Sequence, residues 1–340
     1  MRQLTYRSAG VVAWEEVPEP DGPGPTGALV RPLAVARCDL DLPMAAFGLF
    51  PGPFPVGHEI AAEVIAVGTE VQTHRRGDRV VVPFQVSCGA CRPCARRTFA
   101  ACGAHRAPLG ASFGFGPSGG GFGGGVTDVL AVPHADHLLV AAPAGTSPVV
   151  LANLSDNVAD AYRAVAPMLR EEPDRDVLIL SAGIGAIPLY AAGVAVALGA
   201  PSVRYIDRDP ERVAIAARLG ATASLHEGPW PKRFDPAAIV VESVGEPAGL
   251  QCALRSTEPY GTCTTVSVSF EPVTLPVVEL YTRGVTFHAS RADGRRLLPE
   301  VLDLVASGRF DPLSIPTTVV DWGDAAEAWL APATKLVVAR

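Results

Sequence analysis

The sequence predicts an α/β protein of two parts: an irregular β-barrel-like part and a doubly wound parallel sheet. Three observations carry the prediction. Residues 1–150 are broken by proline and glycine into short apolar runs, the habit of small all-β domains. From residue 151 strand-like and helix-like stretches alternate, the mark of a parallel sheet covered by helices. The 340 residues, 48% of them hydrophobic, suffice for two cores.

In the first part, the turn residues Pro18-Glu-Pro-Asp-Gly-Pro-Gly-Pro25 precede a strand at Leu29–Val35. Further strands are expected at Ile60–Val67 and Arg79–Pro83, separated by the turn Arg76-Gly-Asp78. Nine glycines crowd Gly110–Gly125. That stretch reads either as a solvated surface loop or, because Phe113, Phe115 and Phe122 sit in it, as a loop over an active site. In the second part, strands are expected at Val177–Leu180, Val203–Ile206 and Ala238–Glu242, with helices at Ile187–Leu198 and Pro210–Leu219. An amphipathic helix at Pro299–Ser307 and a closing strand at Lys335–Val338 follow. The expected domains are residues 1–150 with 290–340, carrying a cysteine lobe at 88–102, and residues 151–289. No repeat at solenoid periods is present.

Charge and hydropathy exclude several functions. The net charge is −7, and a nucleic-acid surface needs a basic stripe. Of 28 basic residues only Lys232 and Lys335 are lysine, which reads as composition rather than function. Val177–Ala200 holds 24 residues without a charge, long enough for a bilayer. Gly183, Gly185, Pro188 and Gly193 instead make it a buried strand, a tight turn and a buried helix, so no membrane is expected. No apolar run follows Met1-Arg2, so a secretory signal is not expected and the expected location is cytoplasmic. In a reducing compartment clustered cysteines favour metal over disulfides.

The stretch Ser181-Ala-Gly-Ile-Gly-Ala-Ile-Pro188 has the form of a dinucleotide turn, in which the backbone approaches a pyrophosphate at a helix N-terminus. Gly183 and Gly185 match the first two glycine positions, and Pro188 stands where the third is expected. A second register uses Ser181, Gly183 and Ala186. Asp207 follows Gly183 by 24 residues, where a carboxylate accepts bonds from the adenosine ribose of NAD. Asp209 is the expected cap of the next helix; the competing reading makes Asp207 part of that cap. Arg208 keeps NADP open, since an arginine there meets a 2′-phosphate.

Cys88-x2-Cys91-x2-Cys94-x7-Cys102 offers four thiolates to one ion. That is a closed tetrahedral zinc site, which is structural; Arg92, Arg96 and Arg97 offset its charge. A catalytic zinc keeps one position open and takes three protein ligands. The best set is Cys38, His58 in Gly57-His-Glu59, and Asp156 in Leu154-Ser-Asp-Asn157. Each has a plainer reading: a small buried cysteine, a core histidine, a helix cap.

With these residues the chain resembles the zinc-dependent medium-chain alcohol dehydrogenase family over nearly its whole length. Gly77-Asp78-Arg79-Val80 and Leu198-Gly-Ala200 also match. The resemblance implies a GroES-like catalytic domain, a Rossmann domain, two zinc ions per chain, and hydride transfer between NAD(P) and an alcohol, aldehyde or ketone. It implies that Glu59 is an alternate zinc ligand and that Asp41 orients His58. Assembly as a homodimer or homotetramer is likewise implied. Aspartate at position 156 and the glycine-rich loop resemble the formaldehyde-dehydrogenase-like branch. Three positions depart from the family. Asp156 stands where many members have cysteine. Leu40 stands where a hydroxyl usually relays the proton, leaving that task to Asp39 or water, and Asp160 stands where a threonine usually lies near the nicotinamide. Two alternatives follow: a reductase of a C=N (imine) or C=C bond on the same fold, or a non-enzymatic zinc-ribbon module.

Overall fold

A computed structural model describes residues 1–183, 185–269 and 271–340. Ile184 of the glycine turn therefore lies outside the described residues. The chain divides into two compact units, one of residues 1–159, 292–307 and 311–340, the other of residues 160–291 and 308–310. The α/β class and its two parts are those the sequence predicts. Among the described residues, no helix is long and apolar enough to cross a membrane.

The first unit is built on the strand Ala28–Arg37. It pairs antiparallel with Glu59–Val67 on one side and Lys335–Ala339 on the other, in a seven-stranded sheet. The ladder slips between Pro32 and Ala34, because proline has no N–H to give it. Val30, Val35, Ile60, Val64, Val80 and Val338 are fully buried in the core of this unit, each worth about 1.5–3 kcal/mol of transfer energy. The register has a consequence for chemistry. Ala36 lies opposite Glu59 and Arg37 opposite Leu336. The end of the first strand and the starts of the other two thus meet at one edge of the sheet.

The second unit holds a six-stranded sheet whose paired strands all run parallel. Counted within the unit, the strand order is 3-2-1-4-5-6, that of a doubly wound dinucleotide-binding sheet. Val177–Ser181 and Ala237–Ser243 are the central neighbours. The order reverses between them, and such folds receive ligands beyond the carboxyl ends of strands at that point. Both strands are almost wholly buried, which explains their unbroken apolar sequence.

Two expectations are corrected. The late helix spans Gly294–Ala306 rather than beginning at Pro299, which lies inside it. The glycine-rich stretch is no solvated loop. Phe113 is fully buried and Phe115 nearly so, and a side chain at Gly124 or Gly125 would strike Val56 backbone or Ile60.

Candidate metal centre

Cys38 follows the strand Ala28–Arg37, His58 precedes the strand Glu59–Val67, and Asp156 precedes the helix Asn157–Glu171. Sheet register brings the first two together, and the third arrives from a turn. One ligand atom of each lies within 4.8 Å of the others. His58 Nε2 and Asp156 Oδ2 are 3.2 Å apart, close to the ~3.3 Å expected of two ligands about 2.0–2.1 Å from a tetrahedral zinc. His58 is 1% exposed, whereas Cys38 and Asp156 each keep 9%.

The surroundings orient these groups. Asp41 Oδ2 accepts a 3.0 Å bond from the Cys38 N–H. Its Oδ1 lies 3.6 Å from His58 Nδ1, and among the described residues neither atom of that pair has a hydrogen-bond partner. The imidazole thus turns Nε2 toward Cys38 and Asp156, and Nδ1 toward a carboxylate. Phe115 and Phe84 pack on its ring, with centroids 4.9 and 5.5 Å away. The glycine-rich stretch therefore delivers a wall of the site.

The acids around the triad favour a bound cation. Burial works against a charged His58, but Asp41 and Asp156 prevail and lift it to about 9. Burial also works against ionised Asp156, yet the hydrogen bond and charge of His58 hold it below its ordinary value. Burial, then Asp156 and Asp41, push the Cys38 thiol well up. A sulfur, a nitrogen and an oxygen thus converge beside acidic groups, a donor set that suits zinc with one position open.

Glu59 lies beside this triad, within electrostatic reach of all three residues, but its oxygens are bound elsewhere. It is fully buried, its Oε1 accepts from the Asn157 N–H at 3.1 Å, and its Oε2 accepts from Lys335 Nζ at 2.7 Å. The alternate-ligand role therefore conflicts with where its oxygens are spent. Asp39 stands beside Cys38, and Leu40 packs partly against the core. Asn157 and Lys335 escaped the sequence reading. The only visible signal was the scarcity of lysine.

The four cysteines of the lobe meet in a second cluster, again within 4.8 Å. Cys91 Sγ lies 3.4 Å from Cys94 Sγ and 3.8 Å from Cys102 Sγ, near the ~3.8 Å of thiolates about 2.3 Å from a tetrahedral zinc. The backbone N–H groups of Cys94 and Gly103 help lower the Cys91 thiol to about 6.

In the second unit, Gly183 and Gly185 have φ of +82° and +74°, a region glycine enters without strain. Pro188 lies in the first turn of the helix Ile187–Ala197, where its missing N–H costs nothing. Asp209 caps the next helix, accepting from the Glu211 N–H at 2.8 Å. Asp207 is fully buried rather than open. Its Oδ2 accepts from Tyr205 and Arg212 at 2.6 and 3.0 Å, and its Oδ1 from the Asp209 N–H at 3.1 Å. A side chain at Gly183 would lie 3.9 Å from that Oδ1, so the carboxylate does sit under the turn. Arg208 donates to Glu246 at 2.8 Å and to the Gly228 carbonyl at 3.2 Å, and covers the Trp230 ring. Asp160 forms a tight ion pair with Arg163.

Comparison with known proteins gives matching results. Residues 24–144 match an alcohol dehydrogenase GroES-like domain, and residues 186–307 a zinc-binding dehydrogenase domain. A relative in Mycobacterium tuberculosis, named probable zinc-binding alcohol dehydrogenase, is 31% identical over 97% of this chain and 84% of its own. The glutathione-independent formaldehyde dehydrogenase of Pseudomonas aeruginosa is 33% identical over 64% of this chain and 57% of its own. The structure of an alcohol dehydrogenase from Thermus sp. ATN1 superposes with a TM-score of 0.89, at 29% identity, over 100% of this chain and 99% of that one.

Proposed function

The chain belongs to the zinc-dependent medium-chain alcohol dehydrogenase family, and from this premise we propose that Cys38, His58 and Asp156 hold its catalytic zinc. It is an oxidoreductase that transfers a hydride between a nicotinamide cofactor and an alcohol or carbonyl compound. The observation that carries the ligand assignment is the convergence of Cys38, His58 and Asp156 within 4.8 Å. A zinc ion held there supplies a Lewis acid for the substrate oxygen. Asp41 keeps the His58 ring turned to it, and Phe84 and Phe115 screen that ring from water. A second zinc, on Cys88, Cys91, Cys94 and Cys102, is structural, giving two per chain.

The cofactor is proposed to bind in a dinucleotide domain of residues 151–289, with the catalytic domain in residues 1–150 and 290–340. Gly183 and Gly185 let the backbone approach the pyrophosphate, and Asp207 lies under the same turn. NAD is favoured over NADP, because Arg208 is already held by Glu246 and Gly228. Asp156 in its Leu154-Ser-Asp setting, with the glycine-rich stretch, supports the formaldehyde-dehydrogenase-like branch. The substrate is a small or medium alcohol, aldehyde or ketone, handled by a cytoplasmic homodimer or homotetramer. A C=N reductase is the second reading, favoured by Leu40, whose packed side chain has no hydroxyl to relay a proton. Zinc analysis and NAD(H) turnover test the proposal. The expected result is about two zinc ions per chain and turnover of an alcohol–carbonyl pair. Fewer zinc ions, or no binding of either NAD(H) or NADP(H), removes it.

A further inference from the structure

Lys335 is one of two lysines in the chain and is 1% exposed. Its three N–H bonds go to the Arg37 carbonyl at 3.0 Å, to Glu59 Oε2 at 2.7 Å, and to Asn157 Oδ1. An ammonium has three donors, so none is spare. Each acceptor belongs to the chain neighbour of a residue in the triad: Arg37 precedes Cys38, Glu59 follows His58, and Asn157 follows Asp156. One charge therefore gathers all three segments that bear the ligands.

The network closes on itself. The Asn157 N–H donates to Glu59 Oε1 at 3.1 Å, and Asn157 Nδ2 donates to Cys38 Sγ at 3.4 Å. Both Glu59 oxygens are thereby committed away from the triad. Burial opposes a charged lysine, but Glu59 and the acids nearby outweigh it and keep the ammonium protonated. A buried ion pair of this kind is a poor source of fold stability, since an apolar pair of similar volume often serves as well. Its geometry offers a better reason for it.

We propose that Lys335 is a positioning residue for the metal centre, a resident cation that sets the spacing of Cys38, His58 and Asp156 and holds Glu59 off the metal. This rests on the reading of those three residues as zinc ligands. Because the ammonium reaches a neighbour of each ligand, its loss should loosen all three together. The cysteine lobe, which shares none of these bonds, should be untouched and serves as an internal control.

The test is the double variant Lys335→Met with Glu59→Gln, which removes both buried charges and so leaves neither unpaired. Zinc affinity is read by chelator competition, the ligand field by the absorption spectrum of the cobalt(II)-substituted protein, and folding by circular dichroism. The expected result is a folded protein that keeps the cysteine-lobe metal. Its other site should bind zinc about 10–100-fold more weakly and give an altered cobalt spectrum. A folded double variant with wild-type affinity and spectrum overturns this inference alone. Wild-type protein that takes up metal only at the cysteines overturns the ligand assignment, and this inference with it. Lys335→Met that fails to fold while the double variant folds with weakened zinc binding supports the proposal, because only the unpaired Glu59 separates the two.

Discussion

His58 Nε2 stands 3.2 Å from Asp156 Oδ2 across 98 residues of sequence. The separation is that of a buried hydrogen-bonded ion pair and equally that of two ligands on one zinc ion, so the metal content of Asp156 variants tells the two apart. Asp156→Ala is expected to lower the metal content from about two zinc ions per chain to about one and to abolish turnover. Asp156→Cys, which restores a zinc ligand, is expected to keep both ions. Metal analysis on purified variants checks this; unchanged zinc in Asp156→Ala would return the residue to a capping role.

Asp207 is expected to behave as a structural residue as well as a cofactor residue. Arg212 and Tyr205 both donate to its Oδ2 in the interior. Asp207→Ala should therefore cost about 3 kcal/mol or more of stability, the usual penalty for removing one partner of a buried ion pair. Urea unfolding of the cofactor-free protein measures it. A change below about 0.5 kcal/mol, the size seen at ordinary surface positions, would mean that the carboxylate serves the ribose alone.

A pH effect independent of the zinc triad is expected at His137. Burial, helped by Arg295, lowers this imidazole to about 4, and Ser87 Oγ lies 2.8 Å from its Nε2. A depressed pKa means that the unfolded chain takes up the proton first. The contribution of neutral His137 to stability is thus complete above the ordinary value of 6.5 and is lost as pH falls from there toward 4. Thermal unfolding between those limits should show a steeper loss in the wild type than in His137→Gln. Parallel curves would assign the acid sensitivity elsewhere.

What could be read before folding depended on distance along the chain. The cysteine cluster is legible because its four thiols fall between residues 88 and 102, a spacing that favours one shared metal ion. The strands Val177–Ser181 and Ala237–Ser243 were visible in outline because burial on both faces leaves an uninterrupted apolar run. Thr222–Leu225 was not seen, since it is mostly exposed and carries no such run. The helix Gly294–Ala306 carries Pro299 in its interior, a position that local sequence does not distinguish from a helix start.

Residue types and local periodicity were enough for the fold class, the four-cysteine cluster and a short list of candidate ligands. Tertiary structure alone decided which of those candidates meet. It bound Glu59 to Lys335 and Asn157, sealed Asp207 beneath its turn, and set Lys335 between the three segments that carry Cys38, His58 and Asp156. The reason is that a ligand set is a matter of separations in space. These follow from sheet register and burial, and no single stretch of sequence carries either.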